Sequence, residues 1–213
     1  MQGRFTHLLD AVCDTVLHLS VRWYRVLSIG MWNGLHESEI INQAHAAGAA
    51  DVQFFGIGLF EEATTKDVEY VYGRKVKPPT LLDVRNYIRR KTRCRVGEVS
   101  VEIFRGRAEK VFKILTGQFP VMNLVLLNGT PSARALIASW HHASGLLAAD
   151  GVAMIDDYRP GEEGHGSRMV VDRIERRGRF LTEVLEPADI DPVTKEMVHM
   201  VRATRRSRSA VIV

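Results

Sequence analysis

Apolar positions along this chain follow two spacings in turn, and their alternation predicts the order of the elements. Near the start, Phe5, Leu8, Val12 and Val16 recur at helical spacing, which predicts an amphipathic helix over residues 1–20. After it, short apolar runs alternate with helical stretches. The runs predict strands at residues 25–30, 52–59, 99–105, 121–127 and 152–156, and the stretches between them predict helices at 33–48, 81–93, 108–116 and 132–147.

The composition of the strand segments indicates how they are covered. Continuous runs of β-branched residues and leucine, without apolar and polar alternation, are typical of parallel strands with helices on both faces. The predicted fold class is therefore α/β, doubly wound. The end of the chain differs, because residues 179–185 and 197–204 predict two strands whose connection is too short for a crossover helix. These two are expected to pair antiparallel, which gives a mostly parallel sheet of seven strands.

Length and composition exclude several classes of protein. With 213 residues, 46% of them apolar and 25% charged, the chain fits a single soluble domain over residues 1–213. No apolar run approaches the ~18 to 20 residues that span a bilayer, so no membrane segment is expected. Cys13 and Cys94 are far apart and have no neighbouring Cys or spaced His, which argues against a disulfide framework or a zinc site. A reducing, cytoplasmic location follows as the expectation.

Basic residues are concentrated in two segments of a chain whose net charge is +4. One lies at residues 85–95 and the other in a C-terminal tail at 205–213, preceded by Arg202. Aromatic residues are nearly absent from both, whereas nucleic-acid surfaces usually interleave aromatics with the basic residues. A solvated helix face and a loose tail are the simpler interpretation, so nucleic acid is not the expected partner. An anionic small molecule would also fit this charge, and a homo-oligomer is left open.

Candidate chemistry is expected where the strands end, because ligands of open parallel sheets bind beyond the carboxyl ends of the strands. Glycines there allow close approach of a ligand to the backbone, although they are equally compatible with tight turns. Two adjacent carboxylates closing a buried strand need a cation or a donor to offset their repulsion, unless one of them caps the next helix. The residues concerned are Gly30, Asn33, Gly34, Gly58, Gly106, Asn128, Asp156 and Asp157.

Seven segments in register carry a family resemblance over about residues 24 to 204. They read VLSIGMWNG, FFGIGLFEE, KPPTLLDVRNYI, IFRG, LVLLNGTPS, the helix that contains Trp140, and GVAMIDDY. In this order the chain resembles class I S-adenosylmethionine-dependent methyltransferases. It is most similar to the small branch whose fourth strand ends in D-G-G-H-S and whose fifth ends in D-D-Y. The resemblance implies a Rossmann-like sheet and methyl transfer to a small-molecule hydroxyl.

The resemblance also implies roles for particular residues. Gly30, Asn33 and Gly34 match the turn that cradles the methionine part of S-adenosylmethionine, while Gly58 and Gly106 match positions at the ends of strands two and three. In the relatives that use a metal, three acidic residues after strands four and five hold Mg²⁺ and orient the acceptor hydroxyl. The matching residues here are Asn128, Asp156 and Asp157, of which the two aspartates are the candidate catalytic residues.

Four positions depart from the family pattern. Ser28 stands where the first motif has an acid, Gly58 replaces the acid that grips the ribose, Arg107 follows Gly106 where an acid or small polar group is usual, and Pro131 replaces the histidine after strand four. A carboxylate bound to the ribose diol contributes about 1.5 to 3 kcal/mol, so its loss would weaken cofactor binding by about one or two decades.

Other side chains near the strand ends have two readings each. Glu61 and Glu62 either reach back to the ribose or form a solvated pair, with the solvated pair favoured. Trp32 either stacks on an adenine or packs between helix and sheet, with packing favoured. His141 and His142 lie ~15 Å along the helix from the end of strand four, too far to replace the missing histidine, and are interpreted as surface or interfacial residues.

Two hypotheses share this fold. In the first, the chain is an active methyltransferase in which a cation on Asn128, Asp156 and Asp157 orients the acceptor hydroxyl and lowers its pKa. In the second, the fold survives as a catalytically inactive binding or scaffold protein that has lost its cofactor. The departures at residues 28, 58, 107 and 131 motivate the second hypothesis.

Overall fold

The computed structural model of the protein describes residues 3–19, 23–92, 98–128, 132–191 and 195–206. Seven strands form one sheet in the order β3-β2-β1-β4-β5-β7-β6, in which only the pairs made by β7 are antiparallel. The predicted fold class is thereby confirmed. The strands are β1 (Trp23–Ile29), β2 (Asp51–Gly58), β3 (Val99–Arg105), β4 (Met122–Leu127), β5 (Leu147–Tyr158), β6 (Phe180–Ile190) and β7 (Met197–Arg205).

Helices cover both faces of the sheet. One face carries α1, α2 and α4, which bury aliphatic residues such as Val12, Ile40 and Ile88, and the other face carries α5, α6 and α7. Every residue of β4 is buried, as the continuous apolar run predicted. The helices are α1 (Gly3–Leu19), α2 (Leu35–Ala46), α3 (Thr65–Tyr72), α4 (Leu81–Lys91), α5 (Ala108–Ile114), α6 (Ala133–Leu146) and α7 (Gly166–Arg177), with one 3-10 turn at Phe60–Glu62.

Two helices were not predicted from the sequence. The helix α7 fills the crossover between β5 and β6, where charged residues mask a narrow apolar stripe of Val170, Val171 and Ile174. The helix α3 is only eight residues long and begins with a capping box, in which Thr64 accepts from the Asp67 N–H and Asp67 accepts from the Thr64 N–H. Both helices matter for the site, because α3 covers the strand ends and α7 begins beside β5.

The C-terminal strands complete the sheet by insertion. β7 lies between β5 and β6, so that Val201 stands opposite Ile155 on one side and Val184 on the other. The expected antiparallel pairing of the last two strands is therefore confirmed. β5 also begins at Leu147, immediately after α6, five residues earlier than the sequence predicted.

Several predicted features fall outside the described residues. They include Cys94, the strand-four segment at residues 129–131 with its proline, the basic residues at 93 and 95, and residues 207–213 of the tail. Cys13 is a free thiol. Within the described ranges, no helix combines the length and the apolar character that crossing a bilayer requires.

Candidate functional site

A pocket that is open to solvent lies at the carboxyl ends of β1, β2, β3 and β4. Four of the predicted ligand-binding residues line it, namely Gly30, Gly58, Gly106 and Asn128. The topology brings them together because parallel strands end at a common edge. Asp67, Tyr70 and Glu109, which the sequence did not single out, also line the pocket, as do Trp32 and Arg107.

The turn after β1 places its backbone against the end of β4. Gly30 adopts φ +86°, and a Cβ there would lie 3.1 Å from the Asn128 carbonyl oxygen, so only glycine fits the approach. Gly34, at φ +80°, lies against α4, where a Cβ would be 2.8 Å from Ile88 Cγ1. Asn33 Oδ1 accepts a 3.0 Å hydrogen bond from the Leu35 N–H at the start of α2. Gly30 thus faces the pocket, whereas Asn33 and Gly34 shape the helix start behind it.

At the end of β2, Met31 occupies the space beside two glycines. Its side chain is buried, and a Cβ on Gly56 would collide with its sulfur. A Cβ on Gly58 would collide with the Met31 main-chain oxygen. Residue 58 therefore lacks a carboxylate for a steric reason, since the chain of the first turn crosses directly over it.

The acidic residues after β2 are tied to β3. Arg105 forms ion pairs with both Glu61 and Glu62, at 3.2 Å for Nε and Glu62 Oε1. Glu61 Oε2 also accepts a 3.0 Å hydrogen bond from the Leu81 N–H at the start of α4. Hydrogen bonds from its own backbone N–H and from Arg105 lower the pKa of Glu61. The pair is thus neither at the pocket nor simply solvated, because it links β3 to the first turn of α4.

A buried polar chain runs behind the first turn. Ser28 Oγ donates to Glu37 Oε1 at 3.2 Å, and Asn128 Nδ2 donates to Ser28 Oγ at 3.5 Å. Glu37 is only 3% exposed, and this burial raises the pKa of its carboxyl. A carboxyl from α2 therefore lies next to the position where the resembled family has its strand-one acid. The sequence offered no sign of this, because Glu37 stands in the polar first turn of a helix.

The pair Asp156 and Asp157 closes β5. Asp156 Oδ1 accepts a 2.8 Å hydrogen bond from the Asp157 N–H. Asp157 adopts φ +58° and is buried, and its Oδ2 accepts from the Tyr70 hydroxyl while its Oδ1 accepts from Arg159 Nε at 3.1 Å. Burial opposes ionisation of Asp157, but hydrogen bonds from His165 and Tyr70 and the Arg159 charge lower its pKa.

His165 and Ser167 extend this cluster into α7. His165 Nε2 lies 3.2 Å from the Tyr70 oxygen and 3.4 Å from Asp157 Oδ2. Ser167 Oγ donates to the Asp157 main-chain oxygen, and His165 Nδ1 lies 2.8 Å from Ser167 Oγ. Because the single hydroxyl proton of Ser167 is used on Asp157, His165 Nδ1 carries a proton and donates to Ser167.

A Mg²⁺ ion on the three residues proposed as its ligands would need an octahedral set of oxygens that includes several waters. Both oxygens of Asp157 already accept hydrogen bonds, and a guanidinium lies on one of them. In the part of the chain that the structure describes, no group of three His, Cys, Asp or Glu side chains is arranged to hold a metal ion. Asp157 is thus engaged by other groups in this arrangement, and the role of Asn128, Asp156 and Asp157 as metal ligands stays a prediction.

Trp32 and the two histidines His141 and His142 differ in their relation to the pocket. Trp32 lies at the pocket wall, so both of its proposed roles stay possible interpretations. His141 is exposed, and His142 stacks on Phe112 with ring centroids 5.1 Å apart. Burial and the neighbouring His141 lower the pKa of His142. Neither histidine is among the residues that line the pocket.

Comparison with known proteins identifies the fold. No protein-family model matches the chain, and no curated protein is similar in sequence. Solved structures match over nearly the whole chain. The O-methyltransferase NovP superposes with a TM-score of 0.63 at 15% identity, covering 95% of this chain and 79% of that one. An rRNA methylase from Streptococcus thermophilus also reaches 0.63, at 12% identity, covering 96% of this chain and 98% of its own.

A third structure was solved with a ligand. The O-methyltransferase from Bacillus cereus, in complex with SAH, superposes with a TM-score of 0.60 at 12% identity over 94% of this chain and 81% of that one. The chain has the class I methyltransferase fold. At these identities the likeness concerns the fold, which agrees with the resemblance read from the sequence. Within the class I methyltransferase fold, the pocket lies at the strand ends where ligands of open α/β sheets bind.

Proposed function

We propose that the chain is an S-adenosylmethionine-dependent methyltransferase that acts on a hydroxyl group of a small molecule. The observation that carries the proposal is the pocket at the ends of β1 to β4, lined by Gly30, Gly58, Gly106 and Asn128, in a fold shared with O-methyltransferases. One of these neighbours was solved with SAH, the demethylated product S-adenosylhomocysteine. A cytoplasmic location and a homo-oligomer stay predictions.

The pocket fits the cofactor at the first turn. Gly30 lines the pocket, so its main chain can contact the cofactor there. Apolar residues of the lining, Ile29, Leu59 and Leu136, suit the face of an adenine ring. The methionine and adenosine parts can therefore be accommodated along the ends of β1 and β2.

The pocket also supplies carboxylates from places other than β2. Glu109, in the first turn of α5, is half-buried and lines the pocket, and Asp67 lines it from α3. Asp67 is engaged in the capping box with Thr64. We infer that Glu109 accepts the hydrogen bonds of the cofactor that residue 58 cannot accept. This replacement would restore part of the one or two decades of affinity that the loss of a carboxylate costs.

S-adenosylmethionine, when bound, supplies a methyl group on a positively charged sulfur. The residues of this chain would bind it, hold the acceptor oxygen in line with the methyl carbon and exclude water. Holding two reactants in this geometry supplies much of the rate of such a transfer. Arg107 is exposed at the pocket wall, and its charge favours an acceptor that carries a negative group.

The alternative, a catalytically inactive binding protein, is favoured by one observation. The main chain of Met31 lies over Gly58, where the resembled family has a carboxylate for the ribose. A chain without that carboxylate would hold the cofactor about one or two decades more weakly unless another group replaced it. The two functions therefore differ in cofactor affinity.

Calorimetric titration separates the two functions. S-adenosylmethionine and then SAH are titrated into the purified chain, into a Glu109→Gln variant and into a Glu163→Gln control, whose side chain is exposed and outside the pocket lining. We expect micromolar binding that Glu109→Gln weakens about tenfold and Glu163→Gln leaves unchanged. The absence of binding at millimolar ligand would refute the methyltransferase proposal and support the binding protein.

A further inference from the structure

The side chain of Arg159 brings a permanent positive charge to the end of β5. Its guanidinium is 7% exposed and forms ion pairs with Asp157 at 3.1 Å, Glu162 at 3.2 Å and Asp191 at 3.0 Å. A fourth carboxylate, that of Glu196, pairs with Nη1. These acids come from β5, from the turn after it and from the connection between β6 and β7. A guanidinium therefore already pairs with Asp157 in the acidic cluster in which a divalent cation is expected from the resemblance.

The positive charge of Arg159 disfavours a metal ion bound to Asp157. A divalent ion bound to Asp157 would share the carboxylate with the Arg159 guanidinium, and two like charges on one carboxylate repel. Burial by itself would lower the pKa of Arg159, yet the charge of Asp157 and its hydrogen bond raise it. Arg159 is therefore a charge that no change of pH in the physiological range removes.

The other oxygen of Asp157 reaches toward the pocket through Tyr70. The Tyr70 hydroxyl donates to Asp157 Oδ2, and His165 Nε2 lies 3.2 Å from the Tyr70 oxygen. Tyr70 belongs to α3 and lines the pocket, whereas neither Asp157 nor Arg159 does. Burial and the charge of Asp157 raise the pKa of Tyr70, so the group at the pocket wall is a neutral phenol.

A phenol held in this way has a defined direction. Its proton is used on Asp157, so its oxygen can enter a further hydrogen bond only as the acceptor, from His165 Nε2 or from a hydroxyl group in the pocket. Such a bond would orient the lone pair of an acceptor hydroxyl. The line of contacts from Arg159 through Asp157 to Tyr70 therefore connects a buried charge to the wall of the pocket.

We infer that Arg159 takes the place of a divalent cation at this site, and that Asp157 is a positioning residue that holds the Tyr70 hydroxyl at the pocket wall. The inference deepens the proposed function and rests on it for the reaction that the pocket serves. It makes the transfer independent of divalent metal, in contrast to the role of Asp157 implied by the resemblance. The chemistry recognised by Tyr70 is a hydroxyl of the acceptor.

Tyrosine labelled with ¹³C at Cζ tests both parts of the inference in the full chain, which has five tyrosines. The Tyr70 signal is identified by its loss in Tyr70→Phe or, if that variant does not fold, by replacing the other four. Mn²⁺ is then added, because a paramagnetic ion on Asp157 would broaden the signal of the tyrosine hydrogen-bonded to it. We expect no selective broadening of Tyr70 at micromolar Mn²⁺. Selective broadening would overturn the replacement of the cation by Arg159.

The same ¹³C label tests the positioning role of Asp157. Asp157→Asn should move the Tyr70 signal, whereas Glu163→Gln should not, and Tyr87 on α4 serves as the internal reference. An unmoved Tyr70 signal in Asp157→Asn would overturn the positioning role.

SAH is added last. If calorimetry shows that SAH does not bind, the proposed function fails, while the Mn²⁺ and Asp157→Asn measurements still decide the inference. If SAH binds, Tyr70 should move and Tyr87 should not.

Discussion

The main-chain oxygen of Met31 lies where a Cβ on Gly58 would stand, so the turn after β1 and the end of β2 fit together only without a side chain at residue 58. Phe60 closes the same space, since its Cζ would lie 2.8 Å from that Cβ. The absence of a carboxylate at this position is thus a property of the packing between two loops. This relationship leads to the first prediction.

Gly58→Ala should destabilise the protein by about 1 to 3 kcal/mol, because the obstacle is a backbone atom and cannot rotate away. The melting temperature would fall by about 2 to 4 °C for each kcal/mol. Gly145→Ala is the matched control, since a Cβ there meets nothing within 4 Å on an exposed position of α6. The control should gain up to ~1 kcal/mol from helix propensity. Equal melting temperatures for Gly58→Ala and the unaltered chain would contradict the prediction.

Glu37→Gln should change how stability depends on pH. Burial raises the pKa of Glu37 in the folded chain, so the folded state retains a proton that the unfolded state releases above about pH 4.3. The free energy of unfolding of the unaltered chain therefore falls as the pH rises from there to the folded pKa. Glutamine does not titrate, so the free energy of unfolding of Glu37→Gln should rise relative to that of the unaltered chain as the pH rises.

Urea unfolding at pH 4, 6 and 8 measures this difference for Glu37→Gln. The control is Glu39→Gln, which removes an exposed carboxylate from the same helix. A difference between Glu37→Gln and the unaltered chain that stays constant with pH would show that burial does not raise the pKa of Glu37 in the folded chain.

Asp157→Asn should lose stability relative to the unaltered chain as the pH rises, whereas Glu37→Gln should gain it. The folded pKa of Asp157 is lowered, so its contribution is present above the unfolded pKa of about 3.9 and is lost as the pH falls through the folded value. Breaking a buried pair costs about 3 to 5 kcal/mol, and Arg159 keeps three other carboxylates, so we expect about 2 kcal/mol at pH 7. Asparagine tolerates the φ of +58° at this position.

Denaturant titrations at pH 7 and pH 3 check this prediction, with Asp150→Asn as a control on an exposed residue of the same strand. The cost of Asp157→Asn should be larger at pH 7 than at pH 3, because part of the contribution is already lost below the unfolded pKa. A cost that is the same at both values would mean that the ionised carboxylate is not what Arg159 and Tyr70 recognise.

Glu61→Gln should leave SAH affinity within about threefold of the unaltered chain, because Glu61 binds Arg105 and the start of α4 and does not line the pocket. Its ion pair is more than a third exposed and screened by solvent, so the stability cost should be small. Calorimetry with SAH decides between this result and the ribose-binding interpretation, which requires a loss of about tenfold or more.

The strand ends show how far sequence reasoning reaches. Gly30, Gly58, Gly106 and Asn128 were predicted together because the rule for parallel sheets depends only on strand order, and strand order was readable from apolar runs. The helix α7 was missed because its apolar stripe is narrow and its other positions are charged.

Contacts between side chains of different elements could not be predicted from the sequence. Tyr70 reaches Asp157 from 87 positions away, and only the placement of α3 over the sheet edge creates that contact. Arg159 lies two residues after Asp157 in the sequence, but its four carboxylate partners extend along the chain as far as Glu196. The resemblance predicted a metal role for Asp157, whereas its surroundings depend on tertiary contacts that no motif records.

The position of β7 between β5 and β6 has a consequence for the order in which the chain is made. On the ribosome β6 emerges before β7, yet β7 is its neighbour in the described sheet. Until Met197–Arg205 has left the exit tunnel, β5 keeps an open edge and β6 has nothing to pair with. Unpaired edges of this kind favour association between nascent chains. Translation that pauses before residue 197 should therefore leave this protein dependent on chaperones until its last strand is inserted.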